Sequence, residues 1–92
     1  MTKQHIAIRV TGKVQGVGYR QTTKYVADQA GIKGLVRNES DGSVYIEAEG
    51  DQWALDTFVE WCEDGPDRAR VEACTVTAGE LKNYKDFVIL KK

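Results

Sequence analysis

One proline, one histidine and two cysteines are all that 92 residues hold of three residue types on which whole protein classes depend. Cys62 and Cys74 have no CxxC spacing, and His5 is the sole imidazole, so neither a disulfide framework nor a zinc site is legible. Both cysteines read as small buried residues. No apolar run approaches the roughly 20 residues needed to cross a bilayer. Met1-Thr2-Lys3-Gln4 also lacks the apolar stretch of a secretory signal. The expectation is a soluble, unexported, cytoplasmic chain. With 41% hydrophobic residues and no repeat or low-complexity tract, the length suits one small core in a single domain over residues 1–92.

Acidic residues are missing before Asp28, although the chain carries 14 of them and a net charge of −1. Lys3, Arg9, Lys13, Arg20 and Lys24 make this first part cationic within an otherwise acidic molecule. A local cationic region suits a small anionic ligand better than a long polyanion, which favours a broad basic face. A solvated charge distribution with no partner accounts for the charge alone equally well.

Hydrophobic patterning gives the elements. Ile6 to Thr11 is β-branched and bounded by Gly12, which predicts a first strand. After the loop from Gly12 to Gly18, residues Tyr19 to Ala30 lack glycine and proline. Val26 and Ala30 lie one turn apart there and Gly31 supplies a stop, which predicts a helix. Leu35-Val36 and Val44-Tyr45-Ile46 flank Asp41-Gly42 and read as a hairpin. Asp51 is placed to cap a second helix through about Glu63, with Leu55, Phe58, Val59 and Cys62 as its buried stripe, ended by Gly65-Pro66. Ala69 to Thr77 is a fourth strand with Val71, Ala73 and Thr75 on one face, and Phe87 to Leu90 is a final short extended segment. The order βαββαβ predicts an α+β, ferredoxin-like two-layer sandwich, an antiparallel sheet with two helices on one face.

A glycine-rich loop between a strand and a helix is a route for holding phosphate, because free amides and the helix dipole converge there. Gly16-Val17-Gly18 lacks the third glycine of a dinucleotide fingerprint, and the loop does not match the Walker pattern. The glycines alone also fit a merely tight connection. Arg20 and Lys24 sharpen the reading, since they occupy the first turns of the helix, where positive charge is unfavourable. A bound anion removes that conflict, and a guanidinium grips phosphate oxygens bidentately. The plainer alternative is a solvated arginine swung away from the helix end.

Gly12-Lys-Val-Gln-Gly-Val-Gly-Tyr-Arg20 resembles the acylphosphatase signature GxVQGVGFR, with tyrosine in place of the usual phenylalanine. A second signature follows from Gly31 through Asn38 to Val44, then Glu49-Gly50, and Gly65-Pro66 and Phe87-Val88-Ile89 resemble later landmarks. The similarity spans nearly the whole chain. It implies an acylphosphatase that hydrolyses acyl phosphates to a carboxylate and inorganic phosphate. In it Arg20 binds the phosphate, Asn38 orients the attacking water, and the backbone amides of Gln15, Gly16, Val17, Gly18, Tyr19 and Arg20 form a cradle. Inorganic phosphate is then product and inhibitor, no metal or cofactor takes part, and the chain acts as a monomer. Tyr19 alternatively packs in the core, and Asn38 alternatively satisfies hairpin backbone groups.

Such a mechanism fits what the sequence lacks. Asparagine has no useful acid–base pKa, His5 lies outside both motifs, and neither cysteine sits in a nucleophile–base pattern. A loose phosphoryl-transfer transition state needs positioned water and charge stabilisation, and an acyl phosphate already expels a stable carboxylate. Three competitors share the fold: a noncatalytic anion-binding module, a carbamoyl-phosphate hydrolase and an RNA-binding domain. The last is disfavoured because the first strand has no aromatic residue, Tyr45 is the only obvious one on the third, and the balance of charge is acidic.

Overall fold

In the computed structural model, which describes residues 2–91, β1 (Lys3–Lys13), α1 (Tyr19–Ala30), β2 (Lys33–Asn38), β3 (Val44–Asp51), α2 (Gln52–Asp64), β4 (Arg70–Gly79) and β5 (Phe87–Leu90) follow one another. They form an α+β, ferredoxin-like sandwich whose sheet runs in the order β4-β1-β3-β2-β5. Alternation along the strands divides the two faces. Ile8, Val10, Val36, Val44, Ile46 and Ala48 are buried with Leu55, Phe58 and Cys62 of α2 and Ala27 of α1 in the core between sheet and helices.

Each helix is set by its ends and its stripe. Asp51 caps α2, accepting a hydrogen bond from the Ala54 amide at 2.8 Å, and Leu55, Phe58 and Cys62 are buried while Val59 is half-buried. In α1 the buried line is Tyr19, Thr23 and Ala27, one turn apart, with Val26 and Ala30 flanking it. Thr23 fits this face because its hydroxyl donates back to the Tyr19 carbonyl at 2.6 Å. Gly31 ends the helix in the left-handed conformation, at φ 73°.

Two expectations need correction. The sheet is mixed rather than antiparallel, because β5 pairs parallel with β2 from Gly34–Phe87 to Arg37–Leu90. Residues 80–86 carry the chain from β4, at one edge, across the open face to the far side of β2, where β5 forms the other edge. The Lys82 and Tyr84 amides donate there to Glu49 of β3 at 2.6 and 3.1 Å. A strand that reverses β4 necessarily runs with β2, which also opposes β4. The second correction concerns β4. The β1–β4 register shifts between Thr11–Ala73 and Gly12–Val71, which leaves Glu72 as an additional residue. Val71 and Cys74 therefore both pack on the core, whereas Ala73 and Thr75 are exposed. No helix among the described residues is long and apolar enough to cross a membrane.

Candidate active site

The loop between β1 and α1 is built on left-handed backbone. Gly16 lies at φ 74° and Gly18 at φ 80°, a region that costs a side-chain-bearing residue about 1–2 kcal/mol. Gly18 is the N-cap of α1 and offers no side-chain oxygen; the first turn holds no acidic residue either. The first intrahelical bond runs from the Thr22 amide to the Gly18 carbonyl at 3.0 Å, so the amides of Tyr19, Arg20 and Gln21 have no acceptor within the helix. A helix end with no cap and no acidic complement favours an anion.

Asn38 reaches the same place from the sheet. It is the last residue of β2, on the face shared with Gly34 and Val36. Its Oδ1 is buried and accepts no hydrogen bond among the described residues. A buried acceptor left unpaired costs free energy, and in native proteins it marks a position that a water or a ligand satisfies.

A cleft of about 470 Å³ joins these groups: Gly16, Gly18, Tyr19, Arg20 and Asn38 line it, with Val14, Gln21, Ile89 and Lys91 completing the walls. The two cations of α1 differ. Lys24 is engaged by Asp28 at 3.0 Å and by the Phe87 carbonyl at 2.8 Å. The Arg20 contact within the protein is a long one, Nη1 to the Leu90 carbonyl at 3.4 Å, and it forms no ion pair among the described residues. Its guanidinium is therefore available.

Two residues expected to lend backbone amides to the site turn their side chains elsewhere. The side chain of Gln15 turns to the β2–β3 turn, donating to the Glu39 and Ser43 carbonyls, both at 2.8 Å. Val17 is half-buried against the core. Tyr19 serves both readings: it lines the cleft, yet it is 1% exposed, its hydroxyl donates to the Cys62 carbonyl at 2.7 Å, and its ring packs on Trp61. Burial pushes its phenol well above the ordinary range. Burial likewise raises the thiols of Cys62 and Cys74, so neither is poised as a thiolate nucleophile. Among the described residues no group of three His, Cys, Asp or Glu is arranged to hold a metal ion.

Nothing local in the sequence marks Ile89 and Lys91 as cleft residues, since only the parallel docking of β5 brings them there. A buried polar network also lies on the open face of the sheet. His5 Nδ1 meets Glu49 at 2.7 Å, and Glu47 accepts from Tyr45 at 2.8 Å, from Lys82 at 3.1 Å and from the Tyr84 hydroxyl. Burial alone raises the Glu47 carboxyl, but the bonds from Tyr84, Tyr45 and Lys82 outweigh it and hold the group at about 2. The signal was present in the alternation Tyr45, Glu47, Glu49 along β3. This network lies on the sheet face away from the cleft and secures the 80–86 crossing.

Comparison with known proteins adds the family. The acylphosphatase family model matches residues 6–89. The chain is 44% identical over 85 residues to an acylphosphatase of Lactiplantibacillus plantarum, covering 91% of this chain and 94% of that protein. Among solved structures, an acylphosphatase from Coxiella burnetii superposes with a TM-score of 0.93 at 31% identity, covering 96% of this chain and 93% of that one. One from Bacillus subtilis gives 0.92 at 37%, with coverages of 97% and 99%.

Proposed function

The chain belongs to the acylphosphatase family and hydrolyses the carboxyl–phosphate bond of acyl phosphates, and on that premise we propose how its residues divide the work. Arg20 and the loop amides from Gln15 to Arg20 hold the phosphoryl group. Asn38 Oδ1 accepts a hydrogen bond from the attacking water and so aims its lone pair at phosphorus. The new P–O bond forms as the bond to the acyl oxygen breaks; the carboxylate leaves with that electron pair, and the proton of the water passes to a phosphoryl oxygen. Charge spreads over the equatorial oxygens in a loose transition state, where the guanidinium and the free amides of the α1 end act most strongly. No strong base is required.

The observation that carries this reading is the buried Oδ1 of Asn38, which no described residue pairs, on a residue that lines the cleft together with Arg20 and the glycine loop. Inorganic phosphate fits the same cradle and is product and inhibitor. The chain acts as a monomer on a small molecule, and one sheet and core across the described residues support a single domain. We place it in the cytoplasm, without nucleic-acid or membrane partners and without a cofactor. Phosphate release from benzoyl phosphate should survive exhaustive chelation and far exceed release from an alkyl monophosphate, whose alkoxide is a poor leaving group. Loss on chelation with rescue by one metal, or comparable alkyl turnover, would overturn the metal-free mechanism.

A further inference from the structure

We propose that the side chain of Gln15 is a positioning residue that holds the phosphate loop in register with Asn38; the inference rests on the roles assigned above to Arg20 and Asn38. The groups that would meet at the phosphorus belong to two separate pieces of backbone. The loop amides and Arg20 travel with β1 and α1, whereas Asn38 travels with the β2–β3 hairpin. Pairing of β1 with β3 stops at Val10–Val44, before the loop begins. Beyond that point, the hydrogen bonds between loop residues 14–18 and the hairpin turn, among the described residues, are the two from Gln15 Nε2.

Both protons of the amide are used. One goes to the carbonyl of Glu39, the residue that follows Asn38, and the other to that of Ser43, each at 2.8 Å. The turn is closed on itself by the Glu39 amide on the Ser43 carbonyl at 2.8 Å and the Gly42 amide on the Glu39 carbonyl at 3.2 Å. Gln15 therefore grips a rigid turn from which Asn38 extends. Its neutral head with two donors matches two carbonyls; asparagine is one methylene shorter, and lysine or arginine brings a charge. The bonds lie outside the cleft lining, so the side chain acts through the geometry of others and touches no substrate.

In-line attack tolerates little misplacement, and an error of about 1 Å costs up to roughly 100-fold. Gln15→Met keeps the length of the side chain and removes both donors. It should lower kcat on benzoyl phosphate by roughly 10- to 100-fold while the calorimetric Kd for inorganic phosphate stays within about threefold. The discriminating measurement is the cycle with Asn38→Ala. In that background no aligned amide remains to misplace, and Gln15→Met should cost less than about threefold further. An equal loss in both backgrounds, or an unchanged kcat in the folded single variant, overturns the inference. If Asn38→Ala is slow and the cycle is additive, only the role of Gln15 falls; if Asn38→Ala keeps its rate, the catalytic assignment falls and takes this one with it. Gln15→Glu supplies a second test that does not depend on the first variant folding. Its ionised carboxylate repels both carbonyls, while its protonated form donates one bond. The deficit relative to the parent should therefore shrink between about pH 8 and about pH 5, as a carboxyl raised by its carbonyl neighbours takes up a proton. An equal deficit at both pH values overturns the inference.

Discussion

Asn38→Ala is the perturbation in which catalysis and stability should separate. In the folded protein the side-chain oxygen of Asn38 is buried and accepts no hydrogen bond from any described residue, so truncation breaks no bond to it within the protein. It gives up only the packing of one short side chain at the end of a strand. Folding stability should stay within about 1 kcal/mol of the parent, which for a domain of this size is within roughly 4–8 °C in Tm. The rate should fall by roughly 100-fold or more, the scale of a lost transition-state contact and about 2.7 kcal/mol of barrier. Arg20 and the loop remain, so inorganic phosphate should bind nearly as before. Turnover of benzoyl phosphate, calorimetric phosphate binding and thermal unfolding in phosphate-free buffer together read all three quantities. An unchanged maximal rate would return Asn38 to a hairpin role. A parallel loss of stability and of phosphate binding would make it a structural support and refute the reasoning.

Two further predictions concern charge. Arg20→Ala should abolish most activity and weaken inhibition by inorganic phosphate, and Arg20→Lys should rescue poorly because an ammonium lacks the planar fork; near-normal phosphate affinity in both folded variants would remove Arg20 as the ligand. Glu47, lowered in the folded state from the ordinary 4.5 to about 2, contributes stability that is complete above about pH 4.5 and is lost as pH falls toward 2. Glu47→Gln should flatten that acid limb in urea unfolding measured across a pH series, and an acid dependence identical to the parent's would show that Glu47 is not its source.

Local chemistry wrote much of this molecule legibly. Gly18 and Gly31 bound α1 as read, Asp51 caps α2, and the glycine loop meets Arg20 where the clash with the helix dipole pointed. Long-range pairing was illegible for physical reasons. Four residues from Phe87 to Leu90 carry no mark of which neighbour they will pair with, so the parallel docking on β2, and with it the place of Ile89 and Lys91 in the cleft, needed the fold. The extra residue in β4 is marked from the opposite strand, where Gly12 lies at φ 120° with no room for a side chain against the backbone of Arg70 and Glu72, and an unbroken alternation within β4 put Val71 and Thr75 on one face. The side chain of Gln15 posed a different difficulty. The motif implied a role for its backbone, and nothing local shows that its amide reaches two carbonyls more than twenty residues away.

The register shift in β4 also bears on how the molecule meets its own copies. β4 is an outermost strand, and from Ala73 to Ala78 it carries no charge. A straight border of that kind is a ready template for another chain to extend the sheet and begin aggregation. The bulge at Glu72 interrupts the even spacing of amides and carbonyls near the start of the strand, increases its local twist and puts a carboxylate at the irregularity. An incoming strand that pairs with Ala73–Ala78 therefore loses register as it approaches Val71. The device that brings both Val71 and Cys74 onto the core thus also shortens the border on which a stack of molecules could grow.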